Sequence, residues 1–124
     1  MVDTARHFLS IPVLRRVVDS MITTKLNTLH VHLVDTQAFP LVLPSAPALS
    51  RGAYSNDEKY SLLDLGGLRQ YCTARGVRLV AEIDTPGHGA SWCVGMPHIC
   101  PSPSCLQPLR PDKNATFDAI RCAA

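Results

Sequence analysis

Charged and aromatic residues are both scarce in this chain of 124 residues: 18% and 6% respectively, against 46% hydrophobic residues. Ten acids and twelve bases leave a net charge of +2, and neither sign forms a run. That balance excludes the electrostatic footprint of a nucleic-acid binder or of a protein drawn to an anionic membrane surface. Also missing is any apolar stretch near the ~18 residues that a bilayer span needs. A basic segment leading into an apolar one is absent at the start, where Met-Val-Asp-Thr-Ala-Arg-His-Phe mixes acid, base and imidazole, so no signal peptide is expected in this chain. Internal repeats and low-complexity segments are lacking too. Disorder is excluded from the other side, because a chain this apolar and this poor in charge buries its surface. What remains is one small globular domain at most, or a piece of a larger one.

Five cysteines are present (Cys72, Cys93, Cys100, Cys105, Cys122), an odd number with four after residue 90. They suit one or two loop-stapling disulfides in an oxidising compartment, and free thiols in a reducing cytosol fit equally well. Asn114-Ala115-Thr116 satisfies the N-glycosylation sequon, a tripeptide common enough by chance to carry no conclusion alone.

The middle of the chain alternates strand and helix. Val13, Leu14, Val17, Val18, Met21 and Ile22 fall on one helical face, with Pro12 at the start, where its missing N–H is harmless. Asn27 to Val34 is apolar and β-branched without a breaker, which predicts a buried strand. A second helix opens at Ser61, with Asp64 placed to complete a capping box, and closes at Gly76; Gly66 and Gly67 inside it weaken it by roughly 1 kcal/mol each. Val77 to Ile83 predicts another buried strand. With a short N-terminal strand ahead of Asp3, the order is that of a parallel α/β sheet with right-handed crossovers. Between them lies an irregular stretch of 26 residues, Asp35 to Tyr60, stiffened by Pro40, Pro44 and Pro47. Such loops at the C-terminal ends of strands build active sites in α/β folds.

Ionisable residues gather at those strand ends: Asp3, Arg6 and His7 after the first, Asp35 after the second, Asp84 and His88 after the third. Desolvated charge is unfavourable unless paired, so three consecutive strands delivering it to one rim favours a functional rim. The plainer alternative is a self-satisfied ion-pair network in which Arg6 bonds Asp35 or Asp84. His30 and His32 share one strand face and, with Asp84 or His88, permit a competing reading as a metal-dependent barrel hydrolase. Their place inside the strand favours buried imidazoles that donate to backbone carbonyls instead. His98, Cys100 and Cys105 lack a sensibly spaced fourth partner for zinc.

Three motifs in order carry a resemblance: Asp3-Thr4-Ala5-Arg6-His7-Phe8, then Lys25 to Asp35 (KLNTLHVHLVD), then Ala81-Glu82-Ile83-Asp84-Thr85-Pro86-Gly87-His88. Together they resemble the catalytic domain of the β-N-acetylhexosaminidases, glycoside hydrolase family 20. Lesser matches at Gln37–Pro40, Gly52–Ser55, Ala74–Arg78, Ser91-Trp92 and Pro108–Pro111 extend it over residues 2 to 120.

The resemblance implies a (β/α)₈ TIM barrel, of which about the first three βα units would be present, with residues 1–120 its N-terminal portion and 121–124 a non-family tail. It implies removal of terminal N-acetylglucosamine or N-acetylgalactosamine from glycans, glycolipids or chitin oligomers, without metal or cofactor. The chemistry implied is retaining and substrate-assisted: the sugar's acetamide attacks its own anomeric carbon while a neighbouring Glu protonates the leaving oxygen. Position by position, Arg6 matches the arginine that grips the terminal sugar's hydroxyls. Asp35 and His88 match a pair lying behind the general acid, where they tune and orient it. Asp84 matches a substrate-site acid expected to hold Arg6. Thr36 stands where the family often has a second acid. The family's Gly-Gly-Asp-Glu motif does not occur among these residues, so the chain is expected to be inactive alone; a non-catalytic amino-sugar-binding remnant is the other alternative. A lysosomal or otherwise secretory compartment is implied for the parent, with its dimerisation left open. A closed barrel needs roughly 250 residues, so an unpaired sheet edge is expected after the third strand.

Overall fold

A computed structural model describes residues 1–123; Ala124, the end of the expected 121–124 tail, lies outside the described residues. The elements are β1 (Val2–Asp3), α1 (Ile11–Thr23), β2 (Thr28–Val34), β3 (Leu41–Val42), β4 (Tyr60–Ser61), α2 (Leu62–Thr73), β5 (Arg78–Ile83), α3 (Ala90–Gly95) and α4 (Asn114–Ala123). Strands β1, β2 and β5 form one parallel sheet in that order, with α1 and α2 as the intervening helices. The expected α/β alternation is therefore present. No helix among the described residues is long and apolar enough to cross a membrane.

In α1, Leu14, Val18 and Met21 of the expected face are buried, while Val13 and Ile22 lie at its exposed margins. Pro12 occupies the first turn, and the Ser10 carbonyl accepts from the Val13 and Leu14 N–H groups. The capping box on α2 is formed in both directions: Asp64 N–H donates to Ser61 Oγ (3.1 Å) and Ser61 N–H to Asp64 Oδ2 (2.8 Å). After the helix, Gly76 takes φ +70°, a left-handed turn that glycine enters without a Cβ clash. In β2, Leu29, Val31 and Leu33 are buried on one face, and His30 and His32 alternate onto the other.

Two expectations are corrected. β5 is not a buried strand: Arg78 and Glu82 count as exposed or half-exposed along with the rest of its length, because among the described residues β2 is its sole neighbour in the sheet. Residues 35–60 are not irregular throughout. β3 pairs in parallel with β4, and a 3₁₀ turn at Pro47–Gly52 packs on α3. The approach is close: a Cβ on Gly95 would lie 2.0 Å from the Ala48 carbonyl oxygen. The core runs from α1 through β2 to Phe39, Leu49 and Trp92, where Phe39 and Trp92 meet edge-on at 5.0 Å. Residues 121–123 continue α4 as its last turn.

Candidate active site

The register of the sheet sets the site. Asp3 lies beside His32, and His32 beside Glu82, so three strands present a row of acid, imidazole and acid. Just beyond, the chain turns out of β1. There Asp3 Oδ1 accepts from the Ala5 and Arg6 N–H groups (3.1 and 3.0 Å), while Oδ2 takes Arg6 Nη1 at 2.6 Å. Arg6 Nη2 reaches Asp35 Oδ2 at 2.6 Å.

Asp35 is the centre of the cluster and is buried, with 2% of its side chain accessible. Its Oδ2 also receives His32 Nε2 at 2.8 Å and faces His88 Nδ1 at 3.2 Å, and its Oδ1 accepts the Thr36 N–H at 2.5 Å. Its backbone is pinned as well, since Ser91 Oγ donates to the Asp35 carbonyl at 2.6 Å. Burial alone would raise the carboxyl's pKa; the His32 and Thr36 hydrogen bonds and the Arg6 and His88 charges outweigh it and hold it below the usual range. For His32 burial pushes the other way, and the Asp35 and Glu82 carboxylates overcome it, raising the imidazole's pKa. Glu82 is likewise lowered against its own desolvation by His32 and His30.

His88 stands at φ +55° between Gly87 and Gly89, a left-handed conformation unusual for a residue with a side chain. From there Nδ1 reaches Asp84 Oδ2 (3.0 Å) as well as Asp35. Arg6, His32, Asp35, Glu82, Asp84 and His88 line an open cavity of about 180 Å³. A larger apolar cleft of about 280 Å³ lies between the β2–β5 sheet and α2, and it holds no ionisable group except Arg69. The ionisable groups therefore gather at the smaller, polar cavity.

Arg6, Asp35, Asp84 and His88 are thus brought together as expected, with one change of partners. Asp84 bonds His88, and Arg6 is held by Asp3 and Asp35. The turn after β1 puts Asp3 three residues from Arg6, closer than the strand end that carries Asp84. His7 makes none of these contacts among the described residues. His30 and His32 do share a face, yet their partners are carboxylates rather than backbone carbonyls. His30 Nε2 pairs with Glu82, and His32 Nδ1 lies 2.6 Å from Glu82 Oε1, a charge contact outside good hydrogen-bond geometry. Two sets, His32–Glu82–Asp84 and Asp35–Asp84–His88, bring ligand atoms within 4.8 Å of one another. A cation there would face the Arg6 guanidinium, which already neutralises Asp35.

Glu82 and Asp3 are the site residues whose roles sequence reasoning missed. Glu82 is the one acid within the third strand, which was the available signal; its place opposite His32 is set by the register and is visible only in the fold. Tyr54, from the long loop, donates to the Arg6 carbonyl at 3.0 Å and adds a further hold on that turn.

Comparison with known proteins agrees on one family. Residues 1–119 match glycosyl hydrolase family 20, catalytic domain. Beta-hexosaminidase 3 of Arabidopsis thaliana is 47% identical over 120 residues, covering 97% of this chain and 22% of that protein. The chitooligosaccharidolytic beta-N-acetylglucosaminidase of Bombyx mori is 39% identical over 132 residues, again 97% of this chain and 22% of the other. A crystal structure of a beta-N-acetylhexosaminidase superposes with TM-score 0.86 and 30% identity over 99% of this chain and 31% of that one. The chain therefore spans 22% of the length of these curated relatives.

Proposed function

The chain belongs to glycosyl hydrolase family 20, and from that premise we propose that it forms the sugar-gripping and acid-positioning part of a β-N-acetylhexosaminidase. The observation that carries this reading is the doubly anchored Arg6, held between Asp3 and Asp35 at the mouth of a polar cavity. A guanidinium fixed on two sides loses little further entropy on binding, and its remaining N–H donors suit vicinal sugar hydroxyls.

In this proposal residues 1–120 are the first three βα units of a (β/α)₈ barrel, and the Glu of the family's Gly-Gly-Asp-Glu motif, which is not among these residues, supplies the catalytic acid. The substrate is a glycan, glycolipid or chitin oligomer ending in N-acetylglucosamine or N-acetylgalactosamine. The acetamide oxygen attacks the anomeric carbon, the glycosidic C–O bond breaks, and the Glu delivers its proton to the departing oxygen; water then opens the oxazolinium with retention. Arg6 orients the sugar. Asp35, kept ionised by its donors, and His88 form the charged backing against which the acid's proton affinity is set. Asp84 acts through His88 rather than on the sugar. A polypeptide of these 124 residues alone hydrolyses nothing, since the acid is not among them. The Cys93–Cys100 disulfide supports a secretory-pathway or lysosomal setting.

The test is a segment exchange. Residues 1–119 replace the matching segment of the Arabidopsis relative, and hydrolysis of p-nitrophenyl N-acetyl-β-glucosaminide is followed. The exchanged enzyme is expected to retain activity, and Arg6→Ala to lower its kcat/KM by about 10²-fold, the scale of one lost transition-state donor. An Arg6→Ala enzyme with unchanged kcat/KM contradicts the proposal.

A further inference from the structure

The sequon Asn114-Ala115-Thr116 opens α4. Asn114 is exposed as the first residue of the helix, and Thr116 is buried to 1% exposure. The Thr116 hydroxyl has no hydrogen-bond partner among the described residues. A buried hydroxyl without a partner is disfavoured against valine of the same shape, so packing does not account for threonine here. Reading by the glycosylation machinery does, because the acceptor motif requires that hydroxyl two residues after the asparagine. A separate observation points to the same compartment: buried Cys93 and Cys100 are joined in a disulfide, a bond that persists in the oxidising lumen where N-glycans are attached.

We infer that Asn114 carries an N-linked glycan and that the glycan is attached before α4 packs. The donor is an oligosaccharide on a lipid pyrophosphate. The Asn114 amide nitrogen bonds to the sugar's anomeric carbon, the bond from that carbon to the pyrophosphate oxygen breaks, and the amide loses one proton to a base. In the folded chain the Thr116 N–H is tied to the Lys113 carbonyl at 3.0 Å and the hydroxyl is inside, so a transferase cannot engage both halves of the motif. Once attached, the glycan leaves from an exposed side chain and disturbs nothing in the core. This inference rests on the sequon, the burial of Thr116 and the disulfide, and stands apart from the hydrolase reading.

The test translates the full chain behind a cleavable signal sequence in the presence of endoplasmic-reticulum microsomes. A gel shift reversed by peptide N-glycosidase is expected, present in Thr116→Ser and absent in Asn114→Gln and Thr116→Val. In a second arm the folded, disulfide-bonded chain and the reduced, unfolded chain meet solubilised transferase with its lipid-linked donor. The folded chain is expected to react at least about tenfold more slowly, since reaction must await local opening of α4. A peptide of residues 110–121 serves as positive control. Acceptance of the peptide without any shift of the translated chain overturns the site, and equal rates for folded and unfolded chain overturn the order of events.

Discussion

Replacing Asp35 by asparagine removes one charge and keeps the shape, and the structure says what that is worth. The carboxylate is buried and faces Arg6 at 2.6 Å, His32 at 2.8 Å and His88 at 3.2 Å. Breaking a buried pair leaves its partners' charge uncompensated, at about 3–5 kcal/mol. Asparagine still accepts from the Thr36 N–H, so the lower end, about 3 kcal/mol, is expected. With a urea dependence of about 1.5 kcal/mol per M, the midpoint falls by about 2 M. Trp92, the sole tryptophan and fully buried, reports the transition by fluorescence. The accessible surface is 7014 Å², against about 6,500 Å² for a complete domain of this mass, so the starting stability is modest. An Asp35→Asn chain whose emission is red-shifted without urea therefore shows the same loss. The control is Asp118→Asn, the same change in an exposed ion pair with Arg121, expected to matter by less than about 0.5 kcal/mol. Equal midpoints for the two variants refute the reasoning.

Three further outcomes are expected. Ser61→Ala removes the hydroxyl that accepts the Asp64 N–H and lowers stability by about 1 kcal/mol in the same urea assay. Reduction of Cys93–Cys100, which closes a loop of sequence separation 7, lowers it by about 2.5 kcal/mol on the chain-entropy relation, read as the midpoint difference with and without reductant. Stability against pH is a plateau with two slopes. The raised pKa of His32 stabilises fully below its ordinary 6.5, and that contribution is lost as pH rises through the folded value. The lowered pKa values of Asp35 and Glu82 stabilise above their ordinary 3.8 and 4.5, and that contribution is lost as pH falls through the folded values. In Asp35→Asn the alkaline slope shrinks, because His32 has lost the carboxylate that its Nε2 hydrogen-bonds; a slope that does not change contradicts the assignment.

Local signals were legible where the chemistry is local. The capping box at Ser61 and Asp64, the apolar period of α1, the alternation in β2 and the glycine after α2 each declare themselves within a few residues. The clustering of Arg6, Asp35, Asp84 and His88 was legible too, because parallel strands deliver their C-terminal ends to one side. What stayed hidden depends on distant partners. β3 and β4 are two residues each and exist through pairing across the long loop, so no periodicity announces them. Glu82 looks like an isolated polar residue until the register sets it beside His32. The exposure of β5 follows from having one sheet neighbour, which its apolar sequence cannot reveal. Which of five cysteines pair is likewise decided by the turn that brings Cys93 to Cys100.

The central claim is that Arg6, backed by Asp3 and Asp35, holds the terminal amino sugar. A crystal structure of the segment-exchanged enzyme with N-acetylglucosamine tests it most directly. The account predicts Arg6 nitrogens within hydrogen-bond distance of the sugar's hydroxyls while the Arg6–Asp35 pair persists, and His88 still on Asp35. A sugar bound in the active site without contact to Arg6 contradicts it.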